Sequence, residues 1–288
     1  MKARIWRRRS VAAWPRTATP RAATWRSNIA GADGDYNRLP ALAAELVRRP
    51  VTVLAATGGQ PAALAAQTAT ATIPIVAAFS ADPVATGLLT SISRPGGNIT
   101  GVSNLSTALE PKRLSLLREV VRSAGTVGVL LNPTFPPSSD QLKDIEEAAR
   151  AIGQQLDVLR ASTDRELEAA FETIAQHRIP ALLVASDPFF NTRRDKLAVL
   201  SARAAVPAMY GFRDYVVSGG LMSYVIDLPD VYRQMGLYVG RILKGTKLAE
   251  LPVLQPIKFE FVLNVKTAKA LGIKFSDDLL SLADEVIE

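Results

Sequence analysis

The chain has 288 residues, 48% hydrophobic and 21% charged, a globular composition with length enough for two lobes of ordinary size. No apolar run reaches the roughly 18 residues of a membrane helix, the absence of cysteine excludes disulfides and thiolate sites, and one histidine argues against a Ser-His-Asp triad or a His-rich metal site. The net charge of +7 suggests a nucleic-acid binder until it is located: residues 1–31 hold eight basic residues, no acidic ones and all three tryptophans, leaving 26 basic against 27 acidic elsewhere, a net of −1.

Residues 1–31 carry neither strand nor helix periodicity and no apolar core of a secretory signal. From Ala32 the pattern is regular. An amphipathic helix is expected over 40–49, with Leu42, Leu46 and Val47 on one face. A βαβ unit follows: strand 51–56, the turn Thr57-Gly58-Gly59, an alanine-rich helix over 60–71 with Pro61 in its first turn, and strand 73–79 ended by Ser80-Ala81-Asp82-Pro83. Such a unit is right-handed with parallel strands, so both polar turns fall at the carboxyl edge, where open parallel sheets bind ligands. A helix over 84–93, a strand at 99–102 and a helix over 110–122 complete the first run.

The rhythm then restarts. Strands are expected at 126–131, 156–160, 181–185, 207–210 and 221–225, with helices over 139–155, 165–176 and 192–204 between them. The second of these helices should be capped by Ser162-Thr163-Asp164 with Glu166 closing the box, and the first by Ser138 or Ser139. His177 falls at a helix end, as a surface residue. A helix over 230–244 stopped by Gly245, a strand at 259–263 and a helix ending near Gly272 finish the chain. The fold class is α/β, with two doubly wound parallel-sheet lobes around a ligand cleft.

The strand-end turns supply the candidate ligand-binding residues. These are Thr57, Gly58, Gly59, Gln60, Ser80 and Asp82 in the first run. In the second they are Asn132, Thr134, Ser186, Asp187, Phe189, Phe190, Tyr210, Arg213 and Tyr224. The glycines let backbone approach a ligand and the helix start favours a carboxylate; Arg213 suits a carboxylate and Asp82 or Asp187 an ammonium. The aromatic residues suit an apolar side chain. Each has a plainer reading as turn, cap, core residue or surface ion pair. GxGxxG, the P-loop, HExxH and GxSxG are all missing, so no motif supports catalysis, and neither cofactor nor metal is expected.

The segments DGDYNRLPALAAELVRR (33–49), ATGGQPAALAAQ (56–67), IPIVAAFSADPVATGLLTSISRPGGNITGVS (73–103), PKRLSLLREVV (111–121), LLNPT (130–134), SDPFFNTRRDKL (186–197), GGLMSY (219–224) and LPVLQPIKFEFVLNVKTAKALGI (251–273) are collinear with one family. Over 32–288 the chain resembles the ABC-transporter substrate-binding proteins of the tryptophan-binding-protein-like family. The resemblance implies a type I periplasmic-binding fold, with three hinge strands and lobes that close on a small solute. It implies lobes of 32–104 with 228–249 and of 105–227 with 250–288. It also implies an aromatic or other amino-acid-like solute, ABC permease subunits as partners, no nucleic acid, a monomer, and a periplasmic location, although the chain as given shows no signal peptide.

Residues 1–31 depart from that family, whose members carry a first strand, a helix and a second strand there. A shifted reading frame accounts for this: codons for Asn-Val-Ala-Ile-Glu-Tyr-Arg-Trp, read one base late, give the sequence of 24–31. On this reading the first lobe lacks its first strand and the chain is less stable than an intact relative. Other readings are the effector domain of a transcription regulator, which needs an N-terminal DNA-binding helix pair, an α/β enzyme, and the product of a degraded gene.

Overall fold

A computed structural model describes residues 27–122, 125–255 and 258–288. Most of the aberrant segment, and with it the expectation about a lost first strand, lies outside these residues; its described part, 27–31, forms no helix or strand and is exposed. Two compact units emerge, the described residues of Met1–Leu105 with Asp227–Ile257, and Ser106–Ile226 with Lys258–Glu288.

In the first unit, β1 (Leu54–Ala56), β2 (Ile75–Phe79) and β3 (Ile99–Ser103) form a parallel sheet in that order. Every residue of β2 and β3 is buried, which is why both read as continuous apolar runs. Helix α1 (Leu39–Val47) packs on α2 (Gln60–Ala69), which connects β1 to β2. Leu54, Ala63, Ile75, Phe79, Leu88 and Ile99 share one core. A late helix, Leu228–Leu243, lies against β2 and β3 through Val231, Met235, Tyr238 and Val239. Gly245, at φ 96°, lies just past its end.

Two expectations change here. No helix forms over 84–93: Asp82 begins one turn by accepting from the Val84 and Ala85 amides, and Gly87 at φ 72° ends it, turning Leu88 and Leu89 into the core. The start signal was real, but the left-handed glycine allowed no second turn. The chain also stays with the first unit beyond 249. Leu251 accepts from the Thr100 hydroxyl at 2.7 Å, Pro252 from Tyr238 at 2.7 Å, and Leu254 bridges Val102 in parallel.

In the second unit a seven-stranded sheet has the order β10-β9-β8-β7-β6-β4-β5. Its strands are β4 (Thr126–Leu131), β5 (Gln155–Arg160), β6 (Leu182–Val184), β7 (Ala208–Tyr210), β8 (Met222–Ile226), β9 (Phe259–Asn264) and β10 (Glu285–Ile287). All pairings are parallel except β8 with β9, which are antiparallel. Leu114, Leu117, Val129, Ile145, Leu183, Met222 and Leu263 belong to its core. The expected helix over 192–204 is two helices, Pro188–Thr192 and Arg194–Arg203, broken at Arg193. The helix Ser138–Ala151 has no side-chain cap, because Ser138 is already helical and Pro137 takes the cap position. Helix Asp164–His177 has the expected box: the Thr163 hydroxyl accepts from the Glu166 amide at 3.2 Å and Glu166 accepts from the Thr163 amide at 3.1 Å. Thr163→Ala is expected to cost about 1 kcal/mol, seen as a melting temperature a few degrees lower; an unchanged melt would mean the box contributes nothing.

Candidate functional site

In each unit the chemistry gathers where parallel strands end. In the first, Thr57 and Gly58 follow β1 and are exposed. Gly59, at φ 73°, opens α2. The Gln60 amide at that helix start donates to the Ser80 hydroxyl at 3.2 Å, and the Gln60 side chain donates to Thr86 at 2.6 Å. The turns after adjacent strands β1 and β2 are thus fastened together at a helix start. Asp82 is exposed, and one oxygen of its carboxylate caps the turn by accepting from the Val84 and Ala85 amides.

In the second unit the turns after neighbouring β4 and β6 form a polar group. Asn132 donates to the Asp187 carboxylate at 3.3 Å and accepts from the Thr134 amide at 3.0 Å and hydroxyl at 2.8 Å. Asp187 also caps the helix Pro188–Thr192, accepting from the Phe190 amide at 3.0 Å. Asn132, Ser186 and Asp187 are buried, while Thr134 is exposed. Phe189 and Phe190 stand 5.6 Å apart, and the Arg193 guanidinium lies 3.8 Å over the Phe189 ring.

Below this group sits an ion pair that sequence reading missed. Glu110 and Arg113, in the helix Glu110–Val120, are both wholly buried, 3.1 Å apart. Glu110 accepts from the Ser186 amide at 2.7 Å and from Gln141 at 2.9 Å. Arg113 donates to the Ser186 hydroxyl at 2.6 Å, to the Ser106 carbonyl at 2.7 Å and to the Tyr224 carbonyl at 2.7 Å. Burial lowers the Arg113 pKa, with the Glu110 carboxylate opposing that shift. Glu110, Arg113, Leu114 and Leu117 follow the i, i+3, i+4, i+7 spacing of one face. A charged pair on an apolar stripe was the available signal.

Three candidates turn out to be engaged elsewhere. Tyr210 is fully buried, its hydroxyl donating to Ser201 at 2.8 Å and its ring stacked on Tyr215 at 4.6 Å; burial pushes its pKa up. Tyr224 stacks on Phe259 at 5.7 Å. Arg213 grips Glu285 with two bonds, at 2.6 and 2.5 Å, rather than presenting its fork to a solute. That bond holds the Glu285 carboxyl below its ordinary 4.5, desolvation opposing it. A depressed folded pKa gives stability that is present above the unfolded value and lost as pH falls through the folded one. Glu285→Gln should therefore melt slightly below wild type at pH 7, with the difference closing on acidification below about 4.5; a difference independent of pH would contradict this. The effect is small because both side chains are about one-third exposed.

The turns of the second unit gather an amide, hydroxyls, a carboxylate and aromatic faces, residue types suited to holding a small polar solute. The family model of ABC transporter substrate binding proteins matches residues 24–287. The tyrosine-binding protein of Clostridioides difficile is 27% identical over 214 residues, 74% of this chain, and the chain spans 61% of that relative's length. A conserved domain protein of Vibrio cholerae superposes with a TM-score of 0.80 at 26% identity, covering 88% of this chain and 84% of the other. An ABC domain from Streptococcus pneumoniae, solved in complex with L-Trp, does so with a TM-score of 0.79 at 25% identity, covering 88% and 87%.

Proposed function

Because the chain belongs to the ABC transporter substrate-binding protein family, we propose that it is the solute-binding component of an importer and that its solute is an aromatic L-amino acid or a close relative. The observation that carries this reading is the fastened group Asn132, Ser186 and Asp187 at the carboxyl ends of β4 and β6. Parallel strands put their ligand chemistry at that edge. Within the second unit, Asn132 and Asp187 suit the solute's ammonium, and Phe189 suits an aromatic side chain. The tyrosine-binding relative and the L-Trp-bound neighbour support the same solute class. The partners are then permease subunits in a membrane, met outside the cytoplasm.

Thermal shift of the full chain against a panel of amino acids tests this. A solute at about 100 times its Kd adds roughly 2.7 kcal/mol to a folded binder. Shifts confined to aromatic amino acids are expected. A shift with sugars or with no compound would overturn the assignment.

A further inference from the structure

Three parts of the second unit meet at one guanidinium. Arg113 holds the hydroxyl of Ser186, in the turn after β6. It holds the carbonyl of Ser106, the first residue of that unit, and that of Tyr224, near where β8 ends at Ile226 and the chain leaves the unit. Glu110 holds the amide of the same Ser186. Gly211 completes the arrangement: a Cβ there would lie 2.4 Å from the Ser186 hydroxyl and 3.5 Å from the Arg113 guanidinium carbon. Among the described residues, one nitrogen of Arg113 and one oxygen of Glu110 have no partner. A buried pair left partly unsatisfied is a poor device for stability alone.

We propose that Glu110 and Arg113 are positioning residues of the solute site, fixing the Ser186-Asp187 turn in its binding geometry and tying it to the segments by which the chain enters and leaves the second unit. This rests on the solute-binding reading above. Arg113 acts through Ser186. Its planar fork is what serves three acceptors at once, and the lysine point charge does not reproduce it.

The test measures the full chain in two ways: hydrogen–deuterium exchange of the peptide over 185–190, and calorimetric titration with L-tryptophan and L-tyrosine. In Glu110→Gln/Arg113→Met, where both charges are removed together, the loop peptide is expected to exchange at least tenfold faster while the peptide over 126–131 is unchanged, and Kd to rise at least tenfold. Arg113→Lys should show the same two changes. Gly211→Ala, which crowds Ser186 and leaves the charges in place, should raise Kd without a change at 126–131. Loop exchange at the wild-type rate, or faster loop exchange with unchanged affinity, would overturn the proposal. If the wild-type chain binds neither amino acid, the solute assignment fails separately, and loop exchange alone decides whether the pair positions the turn.

Discussion

An Arg113→Met chain is expected to melt on the order of 10 °C below wild type. The reason is the environment of Glu110, which is wholly buried together with its partner. Removing one member of a buried pair leaves an uncompensated charge, at a cost of about 3–5 kcal/mol, and a domain of this size loses roughly 2–4 °C per kcal/mol. The Ser106 and Tyr224 carbonyls and the Ser186 hydroxyl also lose their common donor. Changing Glu110→Gln as well should recover much of the loss. It removes the stranded charge while an amide oxygen can still accept from the Ser186 amide. Circular-dichroism melts of the single and double variants measure this directly. A single variant melting within about 2 °C of wild type would mean that the pair is solvated in solution and carries little stability. A double variant melting below the single one would mean that the hydrogen bonds, not the charge, dominate.

The second large effect lies in the other unit. Gly101→Val is expected to abolish the cooperative melt of the first unit. Gly101 pairs with Ala77 across β2 and β3, and a Cβ at position 101 would lie 1.8 Å from the Ala77 carbonyl oxygen. No side-chain rotation relieves that overlap, because the obstacle is backbone. The strands must part, and overpacking of this kind costs about 3 kcal/mol or more, in a sheet that has three strands among the described residues. Gly125→Ala is the control. Among the described residues nothing lies within 4 Å of its added Cβ, its φ is not in the left-handed region, and the site is exposed. Its expected effect stays within about 0.5 kcal/mol. Equal melts for the two variants would contradict the packing described for β2 and β3.

The elements that could be read from the residues were those with a long or strict pattern. β2 and the helix Leu228–Leu243 stood out, the first as an unbroken apolar run and the second, expected over 230–244, by its stop at Gly245. Short elements did not stand out. Arg213–Val217, Asp277–Ser281 and Glu285–Ile287 each span too few residues to establish a period. The stretch after Asp82 was misread because a helix start and a single capped turn share the same signal, and only the φ of Gly87 separates them.

The site divides in the same way. That polar residues gather at strand ends followed from parallel connectivity alone, and Gln60 with Ser80, and Asn132 with Asp187, are brought together. Which of them are already engaged depends on partners distant in sequence, as for Arg213 with Glu285 and Tyr210 with Ser201. The Glu110–Arg113 pair stayed hidden for a related reason. Charges at a helix start are ordinarily solvated, and only the packing of the Ser186 turn over them reveals the burial.

The account stands or falls on solute binding, and calorimetric titration of the full chain with L-tryptophan and L-tyrosine measures it most directly. One saturable site per chain for at least one of them, with no heat from an aliphatic or acidic amino acid at the same concentration, is the predicted result. A folded chain giving no saturable heat with either aromatic amino acid would contradict it.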